Sequence, residues 1–470
     1  MIRVSPFLYI SILFLACLSL VGCNKNRFKK NDYTAYLGGE ITNPTNRYVV
    51  LYKDNVIIDS ILLDENNRFI KKYDSLAPGL YTFKNEPEAQ HIYFEKNDSL
   101  LFSVDAKNFD NTLVFGGRGD LKNNFLVEMD IKSDNDKDFL FNAYIKPYNE
   151  FIPILDSVYN EKLAYYKKRK EKINWSEEFD IFAKSYINFN HYVRLELYPY
   201  IYYRRTGSEV MQQLPKNYYN FRKKIDINDE RLISFQPFTS YLMAMLNNIV
   251  YEDCLNETDM ADIALYCNIE KLKISNEIFK SEKIKNIILD NTAFLYLLED
   301  QNLKNNKKFL ENYFKFSTDT TAHPEILKIY NNAQSLKPGT QFPDEILSDI
   351  NGNKKSLRSI INSPTVIYFW SSRTPAHLIH CVQKIKEYKQ LFPHYRFIGI
   401  NIDDSYINWK KSLNNFKPEN PEDFFHNSNY KNSREKWLIS KIQRTIILDA
   451  NGTIKDAFAN LVEANFIDHL

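Results

Sequence analysis

The spacing of apolar residues changes character along this chain, and each change marks a different kind of segment. The first apolar run, Phe7 to Leu20, is unbroken, follows Arg3 and ends in Leu20-Val21-Gly22-Cys23. It is shorter than the roughly 20 residues a membrane-crossing helix needs. A charged start, an apolar stretch and a small residue before the cut have the form of a secretory signal, which removes residues 1–22 from the folded protein. Short β-type runs follow: Arg47 to Tyr52, Val56 to Leu63, Gly79 to Phe83, His91 to Phe94 and Ser99 to Val104. Turn formers separate them, among them Asn43-Pro44-Thr45-Asn46 and Ala77-Pro78-Gly79. This pattern predicts an antiparallel β-sandwich over 33–117.

Beyond it the spacing lengthens to three and four residues, which predicts a helical domain over 118–336. Phe182, Tyr186, Phe189, Val193 and Leu197 fall on one face of a helix that starts near Ser176. Phe238, Leu242, Met245, Leu246 and Ile249 mark another helix, and further ones are expected at 257–270, 276–298, 302–316 and 323–335. These stripes read as core rather than as ligand sites. The last block, 337–470, mixes buried strands with helices, the strands being Thr365 to Trp370, Arg396 to Asp404 and Arg444 to Asp449. A tight Asn451-Gly452 turn leads to a return strand, and a closing helix is expected over 459–470. The fold class is α+β, multidomain.

Composition narrows the functions. Lys+Arg 61 against Asp+Glu 59 leaves a net charge of +2, which speaks against a nucleic-acid partner. With only 12 Gly and 17 Pro the chain is neither collagen-like nor linker-rich. The 33 Phe and 32 Tyr accompany abundant Asn, Lys and Ile and read as a composition bias rather than a carbohydrate site. Lys167-Lys168-Arg169-Lys170 reads as a solvated face. After Cys23 no second apolar run reaches membrane length, so the mature chain is expected in an oxidising compartment. Cys254 and Cys267 could pair there or stay as thiols; their spacing does not decide.

Two resemblances add to this reading. Leu20-Val21-Gly22-Cys23 resembles the bacterial lipobox, which implies that Cys23 becomes the lipidated first residue. Residues 23–32 would then be a lipidated tether, and Asn24 implies the outer membrane. The series Lys337-Pro338-Gly339 through Pro343, Asp349 to Gly352, Ser356-Leu357 and Ser363 to Trp370 resembles thioredoxin-like domains of the TlpA and ResA type in envelope lipoproteins. That resemblance implies a thioredoxin-like α/β domain over 337–470, preceded by a small β domain. The family places Cys-x-x-Cys directly after the Phe-Trp strand, where a thiolate at a helix N-terminus attacks and a second thiol resolves the mixed disulfide. Here Thr374-Pro375-Ala376-His377 stands at that position, and Gln443 stands where the family carries a cis-proline.

The degenerate redox positions are therefore Thr374, His377 and Gln443, and the expected binding groove comprises Trp370, Arg373, Thr374, His377, Gln443 and Arg444. No catalytic residue and no cofactor are assigned, and the chain reads against an enzyme. The preferred function is a lipid-anchored envelope protein acting as a non-enzymatic binding or scaffolding module. Its partners would be the membrane, through its anchor, and an envelope protein, with the outer membrane facing the periplasm as its location. One alternative is a thiol-disulfide oxidoreductase of the TlpA/ResA type. Another is metal binding through His377, His380 and Cys381, which share one side of a helix and combine imidazole with thiolate; the bland reading of that triplet is a polar helix start and one core cysteine.

Overall fold

The computed structural model describes residues 33–470 apart from 55, 87, 257–261, 300–301, 373, 403–404 and 464–465. The signal segment, Cys23 and Arg373 thus lie outside the described residues. No helix among those described is long and apolar enough to cross a membrane. The chain divides into two compact units, 1–225 with 231–244, and 226–230 with 245–470.

The first unit opens with eight strands: β1 (Ala35–Thr42), β2 (Tyr48–Lys53), β3 (Val56–Leu62), β4 (Arg68–Tyr73), β5 (Gly79–Asn85), β6 (Glu88–Phe94), β7 (Ser99–Asp105) and β8 (Val114–Arg118). They form two sheets, ordered β4-β1-β7-β8 and β3-β2-β5-β6. Inward positions alternate along the strands, and Leu37, Leu51, Phe83, Ile92 and Leu100 meet in a shared core. The sandwich departs from purely antiparallel pairing at one place. β1 and β7 run parallel, from Tyr36 opposite Ser99 to Thr42 opposite Asp105. Parallel neighbours need a long crossover, and here β2 to β6 supply it.

A short helix α1 (Phe109–Thr112) precedes β8. After it come α2 (Asp120–Asn135), α3 (Lys137–Ala143), α4 (Tyr148–Ile173) and α5 (Glu177–Thr206). On α2, Asn123 behaves like an extra rung of β6: its amide oxygen accepts from the Tyr93 N–H at 2.7 Å, and its amide nitrogen donates to the Tyr93 carbonyl at 3.0 Å. α5 starts where the sequence places it. Ser176 caps it by accepting from the Phe179 N–H, Glu177, Glu178 and Asp180 fill the first turn, and Gly207 ends it with a left-handed φ of 71°. Phe182, Tyr186 and Phe189 are buried as core, and Tyr93 packs against Phe179 and Phe182. Within the basic run, Arg169 pairs with Glu128 and Lys170 with Asp180, while Lys167 and Lys168 remain solvated.

α6 (Gln236–Asn256) gives its first residues to the first unit and the rest to the second. α7 (Ile263–Ile278), α8 (Glu282–Glu299), α9 (Leu303–Phe316) and α10 (His323–Ser335) belong to the second unit, so the stretch 118–336 is divided between the two. α7 runs eight residues past the expected end at 270, to Ile278, and the expected start at 257 falls on residues outside the described ones. Cys254 and Cys267 form a disulfide, with Cα atoms 5.8 Å apart, which decides what their spacing left open.

The rest of the second unit is a seven-stranded sheet ordered β10-β9-β13-β12-β11-β14-β15. β9 (Ile346–Ser348) and β10 (Lys354–Ser356) form a hairpin around Asp349, whose carboxylate accepts from the N–H groups of Asn351 and Asn353. α11 (Leu357–Ile360) leads to β11 (Thr365–Trp370), α12 (Pro375–Leu391), β12 (Arg396–Asn401), α13 (Tyr406–Phe416), β13 (Phe424–His426), α14 (Tyr430–Lys436), β14 (Arg444–Leu448) and β15 (Ile454–Asn460). One face of the sheet buries Phe369, Ile400, Trp437 and Ile446, and the other buries Trp370, Cys381, Trp409 and Phe424 beneath α12 and α13. The expected closing helix over 459–470 is corrected. β15 extends to Asn460, and among the described residues only a 3-10 turn follows, at Phe466–His469. Ala457, Ala459 and Leu461 are buried in alternation, the period of a strand.

Candidate functional site

The site is set by β11, an interior strand of the sheet. All six of its residues are buried. It lies between β12, running parallel, and β14, running antiparallel. A strand enclosed on both faces and both edges delivers the chain that follows it to a fixed point, and α12 starts there. Thr374 is the residue before the helix, its side chain is exposed and caps no N–H, and Pro375 occupies the first turn, where a missing N–H costs nothing.

His377 lies half-buried in that first turn. Its Nε2 is 3.3 Å from the Phe369 carbonyl oxygen, and because a carbonyl only accepts, Nε2 carries the proton. The Ile442 carbonyl, in the segment just before β14, also faces the ring. Burial holds the imidazole below its ordinary pKa; the two carbonyls act the other way, and His380 adds to the depression. His377 is thus neutral at pH 7, and its one N–H ties the start of α12 to the end of β11. A backbone carbonyl has no sequence signature, so these two neighbours could not be found by reading the chain.

Cys381 follows one helical turn later, with its sulfur 3.4 Å from His377 Nε2. It is 1% exposed and packs with Tyr368, Trp370, Leu378 and Trp409. Burial pushes its thiol up to about 12. The thiolate is the nucleophilic and metal-binding form, so this sulfur is inert at neutral pH. His380 is exposed, so the helix turns two members of the His377, His380 and Cys381 triplet to opposite environments. No group of three His, Cys, Asp or Glu side chains among the described residues is placed to hold a metal ion.

The expected groove is only partly assembled from the residues assigned to it. Thr374 and Gln443 are exposed and His377 is accessible in part. Trp370 and Arg444 turn inward instead. Trp370 is 1% exposed with its edge against Phe424. Arg444 donates to the carbonyls of Ala457 at 2.9 Å and Leu438 at 3.1 Å and lies over the Phe458 ring. Burial lowers its pKa to about 10, and it serves the sheet rather than a ligand. A separate cavity of about 280 Å³ opens along the second half of α12, between Ile385, Phe397, Phe416 and Phe424. None of Thr374, His377 and Gln443 lines it.

Residues 362–454 match the family described as thioredoxin-like. The C-terminal part of the chain is a thioredoxin-like α/β domain, as its resemblance to the TlpA and ResA type implies. Three solved structures are similar in fold over this region or beyond it. The thioredoxin domain of a thiol-disulfide oxidoreductase from Bacteroides vulgatus is 20% identical, over 28% of this chain and 97% of that one, with a TM-score of 0.24. A thiol:disulfide interchange protein from Bacteroides sp. is 20% identical, over 26% and 80%, with a TM-score of 0.22. A thioredoxin-like protein from Bacteroides caccae is 16% identical, over 59% and 93%, with a TM-score of 0.34. No curated protein matches the chain.

Proposed function

We propose that this protein is a lipid-anchored component of the bacterial envelope, held through Cys23 on the outer membrane and facing the periplasm, whose thioredoxin-like domain binds an envelope protein without catalysing thiol exchange. The observation that carries the reading is the neighbourhood of His377. Where a thioredoxin places its resolving cysteine, this chain has an imidazole bonded to the Phe369 carbonyl. The nearest thiol, Cys381, is buried and protonated at neutral pH. Thr374, at the position of the attacking cysteine, has no anionic form in this pH range. Exposed Thr374 and Gln443 border a surface that can hold an extended segment of a partner.

Two measurements test the reading. The purified protein is expected to reduce neither insulin nor glutathione disulfide; turnover that disappears in Cys381→Ala would establish the oxidoreductase alternative. Crosslinking the anchored protein in intact envelopes is expected to trap a discrete partner, and Thr374→Arg with Gln443→Arg should abolish that product. An unchanged product would move the binding surface elsewhere.

A further inference from the structure

We propose that the cavity between α12 and the segment after α13 binds a small aromatic carboxylate whose ring carries a phenolic hydroxyl at the end away from the acid. The cavity holds about 280 Å³. That is roughly the room taken by nine waters, enough for a molecule of about a dozen non-hydrogen atoms. Its floor and its mouth each ask for a different group on that molecule.

The floor depends on Gly399, inside β12. A glycine weakens an interior strand and marks a place where another group comes close to the backbone. A Cβ at this position would lie 2.7 Å from the Tyr368 hydroxyl oxygen and 3.2 Å from Phe424 Cδ1. The Tyr368 phenol therefore lies across bare backbone, perpendicular to the Phe424 ring with centroids 6.4 Å apart. With Phe397 and Phe416 these rings line an aromatic slot. The Tyr368 side chain is 3% exposed, yet no described residue hydrogen-bonds its hydroxyl. Burying a hydroxyl without a partner is costly, so this one marks the place of a polar atom of the ligand. Burial also keeps the phenol protonated at neutral pH, so it can donate as well as accept.

The mouth is basic. Lys386, Lys389 and Lys417 line it, with Glu419 and Asp423 as its acids. Both acids are engaged already: Glu419 pairs with Lys386 at 2.7 Å, and Asp423 is held by Arg396 at 2.7 Å, with Lys389 at 3.9 Å. Lys417 forms no ion pair with any described residue. Its backbone is left-handed, at φ 51°, and ends α13 by donating to the Leu413 carbonyl. Glycine or asparagine is the usual residue there; a lysine brings a cation to the mouth instead. Once Arg396 is counted, four cations meet two carboxylates, which favours an anion at the mouth and disfavours a cation. An aromatic acid with a distal hydroxyl meets all three demands: its ring fills the slot, its hydroxyl reaches Tyr368 and its carboxylate faces Lys417. A purely apolar guest would leave the Tyr368 hydroxyl unpartnered.

The test is calorimetric titration of the purified protein with 3-(4-hydroxyphenyl)propionate. One site per chain is expected, with a Kd at or below about 1 mM that rises with salt. Tyramine, which carries the same phenol on a chain ending in a cation, should not bind. Lys417→Glu should weaken binding at least about tenfold, whereas Lys411→Glu, the same charge change on α13 outside the cavity, should bind as the parent does. Tyr368→Phe should lower affinity for the phenolic acid about three- to tenfold and leave the weaker binding of 3-phenylpropionate at the parent's level, which also shows that this variant is folded. No binding of the phenolic acid, equal binding of tyramine, or equal effects of Lys417→Glu and Lys411→Glu overturns the proposal. Equal losses of the two acids in Tyr368→Phe would likewise overturn the role given to its hydroxyl.

Discussion

Cys381 and His377 sit one helical turn apart, and their surroundings give each an inactive form. With its thiol pushed up to about 12 and its side chain enclosed, Cys381 should not react with a thiol reagent at pH 8 in the native protein. After denaturation without reductant one thiol per described chain should appear, because Cys254 and Cys267 are bonded. A native reaction would contradict the packing under α12. For His377, replacement by Ala removes a hydrogen bond to Phe369 and should lower stability by about 1 kcal/mol in urea unfolding. At this scale the sequence was informative where chemistry is local. Ser176 reads as a helix start because its hydroxyl needs only the N–H three residues on. Arg444 was misplaced because its role depends on the carbonyls of Leu438 and Ala457, which the fold brings to it.

Among the elements, two carry measurable consequences. The disulfide joins α6 to α7 across thirteen positions. Cross-linking a loop of about fifteen residues contributes about 3 kcal/mol in the chain-entropy account. Cys254→Ser/Cys267→Ser should therefore show a lower urea midpoint with its slope retained. In the first unit, His191 of α5 lies against Tyr159 of α4, with ring centroids 4.4 Å apart and planes tilted by 39°. Burial pushes its pKa down to about 4, and the Arg194 charge lowers it further. Its unfolded value is about 6.5, so the folded state holds fewer protons. Stability is fully present above pH 6.5 and falls as the pH drops through about 4. The loss is roughly 3 kcal/mol as an upper limit. His191→Phe should flatten that part of the pH profile; an unchanged profile would place the titrating group elsewhere. Helices and strands were legible here through period, with ends less so: α7 continues to Ile278 because Leu272 and Ser275 are buried too. The return strand β15 was read two ways because its alanines are small enough to suit either element.

For the whole molecule, each compact unit has its own apolar core, the sandwich core in one and the two faces of the seven-stranded sheet in the other. Calorimetry should resolve two transitions, one lowered by acid through His191 and the other by reductant through the disulfide. A single transition moved by both treatments would show that the units unfold as one. The division itself was hidden in the sequence, because a run of helices looks alike whether its members share a core or not. The thioredoxin-like domain was the most legible part, since its short signatures recur in fixed order. The parallel pairing of β1 with β7 was the least legible: alternation reveals which face of a strand is buried, never which strand lies beside it. That pairing also decides how the protein bears load. β1 is flanked by β4 and β7 along its length, so a pull applied at Tyr33 acts along the strand and shears both ladders together. An edge strand would peel rung by rung; this one holds until many hydrogen bonds fail at once, as the proposed anchor through Cys23 would require.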